Sequence, residues 1–227
     1  MRLLQGVLAA AALLAAAVSP TWAAGEHQRR LAAMLVVLTG DARRLAEPAI
    51  DARDRSAVSA RLHGGLAVLG LLFREAGHAP PVAAAELRQL LDAGQPQALA
   101  TRLEQLSARH PLALGVLHPV PPTPARRQLA QRLHQTYCAG CHDRPDPGSA
   151  MPLYVLQEMA ATLPLREFAA RLLISVRGDH LTSLANPFSD DQLAMLLAHY
   201  RGWRDCAVPD EGGEAGCARD GSGSPAR

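Results

Sequence analysis

Two cysteines three positions apart, with a histidine directly after the second, most constrain the fold of this chain of 227 residues. They are Cys138, Cys141 and His142, in the segment Cys-Ala-Gly-Cys-His. Three chemistries use this spacing, and each needs a different frame. A redox dithiol sits among alternating strands and helices, a zinc site needs a second pair of ligands, and covalent haem attachment needs neither. The rest of the sequence therefore decides between them.

The surrounding sequence has the periodicity of helices. Apolar residues recur every three or four positions between Leu31 and Leu38, between Val58 and Phe73, and in two shorter leucine-rich runs before His110. Alternation of apolar and polar residues over the length of a strand is not found. Gly64 and Gly65 weaken the helix prediction locally, since each glycine costs about 1 kcal/mol against alanine. The sequence nevertheless predicts an all-α chain.

A proline-rich segment divides the chain, with five prolines from Pro111 to Pro124. Proline at this density cannot continue a helix, so we place a domain boundary there. The predicted organisation is a signal peptide (1–23), a helical bundle (24–110), a linker (111–123), a second helical domain (124–205) and a tail (206–227).

Three helices are predicted in the second domain. The first is capped by Thr123 and buries one face, which includes Tyr137 at its end, directly before Cys138. The second extends from about Leu163 to Val176. The last begins at a capping box made by Ser189 and Gln192.

The first residues predict export. Met1 and Arg2 precede a short apolar run that ends at Ser19 and Pro20, and small residues follow. This arrangement is typical of a secretory signal peptide, so we expect a mature protein in an oxidising compartment, the periplasm. No later apolar run is taken as a membrane span. The formal net charge is only +2, and charges of both signs are interspersed. This pattern lacks the clustered basic residues that are typical of a nucleic-acid-binding surface.

The helical frame favours haem over the other two chemistries. Cys206 and Cys217 are the only other thiols, and they do not form a second zinc knuckle. We therefore predict one covalent haem c on Cys138 and Cys141, with His142 as the proximal iron ligand. In an oxidising compartment Cys206 and Cys217 should pair as a disulfide, and the residues after them should be disordered.

At this point residues 124–203 resemble a small class I cytochrome c. A helix ends in the segment Thr-Tyr-Cys-Ala-Gly-Cys-His, a middle helix follows, and the segment from Phe188 to Trp203 is similar to the closing helix of that family. The resemblance implies an all-α domain around one haem. It also implies that Tyr137, Leu196 and Tyr200 pack in the core between the first and last helices.

The sixth iron ligand departs from the family pattern, which places a methionine in the loop before the closing helix. That loop offers His180 as its strong ligand, and we predict that His180 binds the iron. Met151, which precedes a proline, is the rival ligand. An open position or a ligand from the first domain is the remaining alternative.

The layout of helical region, linker and haem motif also resembles the periplasmic portion of some bacterial iron-permease fusions. The chain lacks the permease spans of those proteins and their methionine–proline pair. The upstream histidines are interpreted as surface residues, because no two of them have the spacing of a metal site on one helix. The acidic residues between Asp41 and Asp54 are interpreted as solvated surface, because arginines are interleaved with them.

The function that these features predict is single-electron transfer between redox protein partners, without catalysis. One alternative is a haem enzyme or sensor with an open sixth position. Another is an electron-transfer accessory to metal uptake or oxidation. The helical bundle could dock the protein on a membrane complex.

Overall fold

The structure is a computed structural model, and it describes residues 21–79, 83–115, 117, 123–146, 154–174, 186 and 188–201. Within these residues it contains nine helices and no strand. The prediction of an all-α chain is confirmed for this part of the sequence.

Four of the helices precede the proline-rich segment and five follow it. The first four are α1 (Thr21–Leu45), α2 (Ala52–Glu75), α3 (Ala83–Asp92) and α4 (Pro96–Arg109). The other five are α5 (Pro124–Tyr137), α6 (Ala139–His142), α7 (Leu156–Thr162), α8 (Leu165–Leu173) and α9 (Asp190–Arg201).

The described residues form two compact units. The first contains the residues up to Ala46 together with Ala60–Pro111, and the second contains Glu47–Ser59 together with those from Leu112 onward. Residues 52–59 of α2 thus belong to the second unit, while the rest of that helix belongs to the first. The domain boundaries given by the sequence stay a prediction.

The first unit is a helical core built on leucine. Its α1 packs against α4, and α4 packs against α3. Gly77 and Gly94 end α2 and α3 with positive φ angles of 78° and 66°, a conformation that costs glycine little. In both turns the amide after the glycine bonds back to the helix, His78 to Phe73 and Gln95 to Leu90. This pattern is the Schellman motif.

The glycine pair inside α2 does not interrupt the helix. A Cβ atom at Gly65 would lie 2.5 Å from Cδ2 of Leu38 and 3.5 Å from the sulfur of Met34. A Cβ atom at Gly64 would meet nothing within 4 Å. Gly65 therefore allows α1 and α2 to approach closely, which compensates for its low helix propensity, whereas Gly64 has no such packing role.

One ion pair is buried in the first unit. Asp41 is 1% exposed, and its carboxylate accepts two hydrogen bonds of 3.1 Å from the guanidinium of Arg61. Two parallel hydrogen bonds of this kind replace those that the carboxylate loses when it is removed from water. Asp41 was interpreted from sequence as solvated surface, and that interpretation is wrong, because the charge is neutralised by a partner on the next helix.

Helix α2 is long and apolar enough to cross a membrane by length and composition alone, with a mean hydropathy of 1.4 in its most apolar window. A core helix of a soluble protein has the same composition. Leu62, Leu66 and Leu69 are buried within the first unit. The absence of a membrane span after the leader stays a prediction.

The second unit places its core around α9. This helix packs against α5, α7 and α8. The buried residues of that core are Leu133, Leu156, Ala160, Phe168, Leu196 and Tyr200.

The middle of the second unit differs from the sequence prediction. The helix predicted from about Leu163 is observed as α8, and an additional short helix, α7, precedes it, with Leu163 and Pro164 between the two. Leu163 has an extended conformation, with φ −80° and ψ 150°. The residue before a proline avoids the helical region, and this explains the break. Val176 lies outside the described residues.

Both predicted helix caps of the second unit are confirmed. Thr123 accepts a hydrogen bond from the amide of Arg126 at the start of α5, at 3.3 Å. Ser189 and Gln192 bond to each other's amides at 3.3 and 2.9 Å before α9. These reciprocal bonds satisfy amides that have no partner in the first turn of the helix.

Candidate functional site

The cysteine motif continues α5 by one helical turn. The amide of Cys138 donates to the carbonyl of His134 at 2.8 Å, which closes the last turn of α5. The amides of Cys141 and His142 both donate to the carbonyl of Cys138, at 3.2 and 3.0 Å. Because residues three apart on a helix lie on neighbouring turns of one face, the backbone holds both thiols on the same side.

The two thiols have different surroundings. Cys138 is partly buried against the core of the second unit, whereas Cys141 is exposed. Neither forms a disulfide within the described residues. A group bound to both would therefore contact apolar side chains at one sulfur and the surface at the other.

His142 is held by one hydrogen bond. Its Nδ1 atom lies 2.7 Å from the backbone oxygen of Tyr154. A carbonyl oxygen can only accept, so Nδ1 carries a proton, and in the neutral ring Nε2 then has the free electron pair. Histidines that bind metals usually donate their other ring nitrogen in this way, which fixes the tautomer and the orientation of the ring.

A chain of hydrogen-bonded polar side chains extends from the core to the surface beside the motif, and the sequence analysis missed it. His134 is 4% exposed, with Nδ1 2.9 Å from the hydroxyl of Tyr200 and Nε2 2.9 Å from a carboxylate oxygen of Asp143. The carboxylate accepts from Nε2, so neutral His134 accepts at Nδ1 from the tyrosine. The available signal was the position of His134, four residues after the buried Ala130 and four before Cys138.

The surroundings of Tyr200 and His199 favour the neutral forms of both side chains. Burial raises the pKa of Tyr200 far above its ordinary value, with further contributions from a hydrogen bond with Cys138 and from the charges of Cys138 and Asp143. Burial and then the nearby His134 lower the pKa of His199. At neutral pH Tyr200 is therefore a hydroxyl donor, and the His199 ring favours its neutral form.

The packing role expected of Tyr137 is wrong, while that of Leu196 and Tyr200 is confirmed. Tyr137 is 44% exposed, and its ring meets the edge of Phe188 at a centroid distance of 5.2 Å. It is the last residue of α5, where the helix passes beyond the core. Its place on the buried face is taken by His134.

Several predicted site residues lie outside the described residues. These are both rival sixth ligands, His180 and Met151, both cysteines of the predicted disulfide, Cys206 and Cys217, and residues 1–20 of the predicted signal peptide. Across the described ranges, no three side chains of histidine, cysteine, aspartate or glutamate are grouped so as to hold a metal ion.

Comparison with known proteins gives no relative. No family model, no curated protein and no solved structure matches the chain significantly. The function is therefore argued from the residues of the site.

Proposed function

We propose that this protein is a mono-haem c-type cytochrome that carries single electrons between redox proteins. Cys138 and Cys141 would hold the haem, and His142 would bind its iron through Nε2. The observation that carries the proposal is the 2.7 Å hydrogen bond from Nδ1 of His142 to the carbonyl of Tyr154, next to the two thiols that one helical turn holds on the same side. The iron of a bound haem would supply a centre that gains and loses one electron.

The thiols suit covalent attachment. Each S–H bond would add across one vinyl group of the porphyrin, so that a sulfur–carbon bond forms and the proton moves to the neighbouring carbon. No oxidant is needed for this addition. The exposed thiol of Cys141 is open to a haem that arrives from solvent, and the core beside Cys138 offers apolar contacts to a porphyrin.

The hydrogen-bonded side chains beside the motif hold the turn that carries His142 in place. Tyr200 of α9, His134 of α5 and Asp143 after α6 are joined by two hydrogen bonds of 2.9 Å. These bonds tie the turn that carries His142 to the first and last helices of the second unit. A ligand histidine on a fixed turn would lose little conformational freedom on binding iron, which favours binding.

Location and partners are part of the same proposal. Thioether attachment of haem takes place outside the cytoplasm, and residues 1–23 have the pattern of an export signal. We therefore propose a periplasmic protein whose partners are redox proteins.

Attachment can be tested by mass. The protein is expressed with residues 1–23 in a bacterium that attaches haem c, and the mass of the mature chain is measured by mass spectrometry under denaturing conditions. We expect the chain plus one haem. The double variant Cys138→Ser, Cys141→Ser should have the unmodified mass, while the matched variant Cys206→Ser keeps the mass of one haem. A parent protein with the unmodified mass would overturn the proposal.

A further inference from the structure

Tyr154 is held at both ends in the second unit. Its backbone oxygen accepts the hydrogen bond from His142 at 2.7 Å, and its hydroxyl donates to a carboxylate oxygen of Asp54 at 2.8 Å. The second bond is partly buried and joins residues 100 positions apart in the chain. Tyr154 therefore links the histidine of the motif to the beginning of α2.

Asp54 is itself fixed in place. It lies in the first turn of α2, and its amide donates to a carboxylate oxygen of Asp51 at 2.8 Å. An acidic residue in the first turn is stabilised by the unpaired amides and the dipole of the helix. The neighbouring Arg53 donates to the backbone oxygen of Asp146, at 3.4 Å, four residues after His142.

We propose that Asp54 is a positioning residue for His142 and acts through Tyr154. The carboxylate holds the tyrosine ring, the held ring limits rotation of the Tyr154 backbone, and the backbone oxygen keeps its bond to Nδ1 of His142. This inference rests on the proposed function, because the orientation of His142 matters for a bound iron. It gives a residue from the region predicted as the helical bundle (24–110) a role in the second unit.

The physical consequence concerns the donor strength of His142. A strong bond from Nδ1 makes the imidazole a better electron donor and stabilises oxidised iron. Weakening that bond should raise the reduction potential and speed exchange of the Nδ1 proton with solvent.

Four variants of the haem-bearing protein test the inference. Tyr154→Phe removes the hydroxyl and keeps the ring, the backbone and the net charge. Asp54→Ala removes the acceptor together with its charge, and Asp54→Asn removes the charge but keeps an acceptor oxygen. Asp191→Ala, on the exposed start of α9, is the matched loss of a carboxylate elsewhere in the same unit.

Proton exchange at Nδ1 of His142 is measured by NMR in the reduced, diamagnetic protein, and the potential by redox titration. Tyr154→Phe and Asp54→Ala should each speed exchange roughly tenfold, the effect of losing one hydrogen bond to a charged group. Both should raise the potential, and the double variant should change neither quantity further. Asp54→Asn and Asp191→Ala should keep the exchange rate of the parent.

Three results would overturn the inference. Unchanged exchange in both Tyr154→Phe and Asp54→Ala would show that the carbonyl needs no support from Asp54. A rise in potential for Asp54→Asn equal to that for Asp54→Ala would assign the effect to charge alone. A parent without haem would overturn this inference together with the proposed function, whereas the first two results leave the proposed function standing.

Discussion

At the scale of single residues, His134 shows how the second unit keeps a polar side chain inside an apolar core. Both of its ring nitrogens have partners, the hydroxyl of Tyr200 and the carboxylate of Asp143. A buried polar atom without a partner costs more than its hydrogen bond contributes. The stability of this unit should therefore depend on the tyrosine hydroxyl as well as on its ring.

Replacing Tyr200 with phenylalanine tests this dependence. The ring still fills the core, but Nδ1 of His134 loses its partner, so the free energy of unfolding should fall by about 1–3 kcal/mol. Chemical denaturation measures the change. Tyr137→Phe is the matched control, since this tyrosine is 44% exposed, and it should cost less than about 0.5 kcal/mol. Equal losses in the two variants would contradict the prediction.

His199 should make the protein sensitive to mild acid. Burial and the neighbouring His134 lower its pKa in the folded state below the ordinary value of 6.5. The unfolded chain therefore binds a proton more readily, so this contribution to stability is full above about pH 6.5 and is lost as the pH falls below it. His199→Gln should lose less stability than the parent between pH 7 and pH 5 in denaturation experiments. A variant with the same acid dependence as the parent would exclude His199 as the cause.

At the scale of helices, the close approach of α1 and α2 depends on one glycine of a pair. Gly65 faces Leu38, and Gly64 faces open space. The two positions are adjacent in the same helix, so replacing glycine with alanine changes the helix propensity by nearly the same amount at both. They differ in the packing around the glycine.

Alanine at the two positions should have opposite effects. Gly64→Ala should raise the free energy of unfolding by about 0.5–1 kcal/mol, because alanine is the better helix former. Gly65→Ala should be less stable than Gly64→Ala by about 1–3 kcal/mol, because its methyl group overpacks against Leu38. Thermal or chemical unfolding of the two variants measures the difference. If both variants gain stability equally, the close approach carries no packing constraint.

The helices were predictable where a local signal exists. Periodicity located α1, α2 and α5, and the cap residues Thr123 and Ser189 marked helix starts correctly. Helix α7 was missed because it is only seven residues long and ends at a proline. The cysteine motif was recognisable from its residue types. The hydrogen bond of His142 to the Tyr154 carbonyl was not, because every residue has a backbone carbonyl and the sequence does not indicate which one accepts. The contact of Asp54 with Tyr154 joins distant positions, and no local pattern encodes it.

At the scale of the whole molecule, the sixth iron position decides between a carrier and a ligand-binding protein. We keep His180 as the predicted ligand and Met151 as its rival. A second imidazole should give a low-spin oxidised spectrum and a lower potential than a methionine ligand would. A filled position blocks external ligands, which is what a carrier requires.

Absorption spectra of two variants separate these possibilities. His180→Ala should turn the oxidised spectrum high-spin and allow carbon monoxide to bind the reduced form, while Met151→Ala should leave the spectrum unchanged. The reverse result would assign Met151 as the ligand. Rapid binding of carbon monoxide by the unchanged protein would favour an enzyme or sensor with an open position.

The bond between Asp54 and Tyr154 has a consequence for the order in which the protein matures. Its partners are 100 positions apart, so closing this contact carries the entropy of a long loop. Contacts of large sequence separation tend to slow folding. In the export that we propose, the segment with Cys138 and Cys141 emerges before Tyr154 does, and both thiols then belong to a chain in which this contact has not yet formed. We expect an interval in which a haem-attaching enzyme can reach both sulfurs, and this interval ends when the ring of Tyr154 docks on the start of α2.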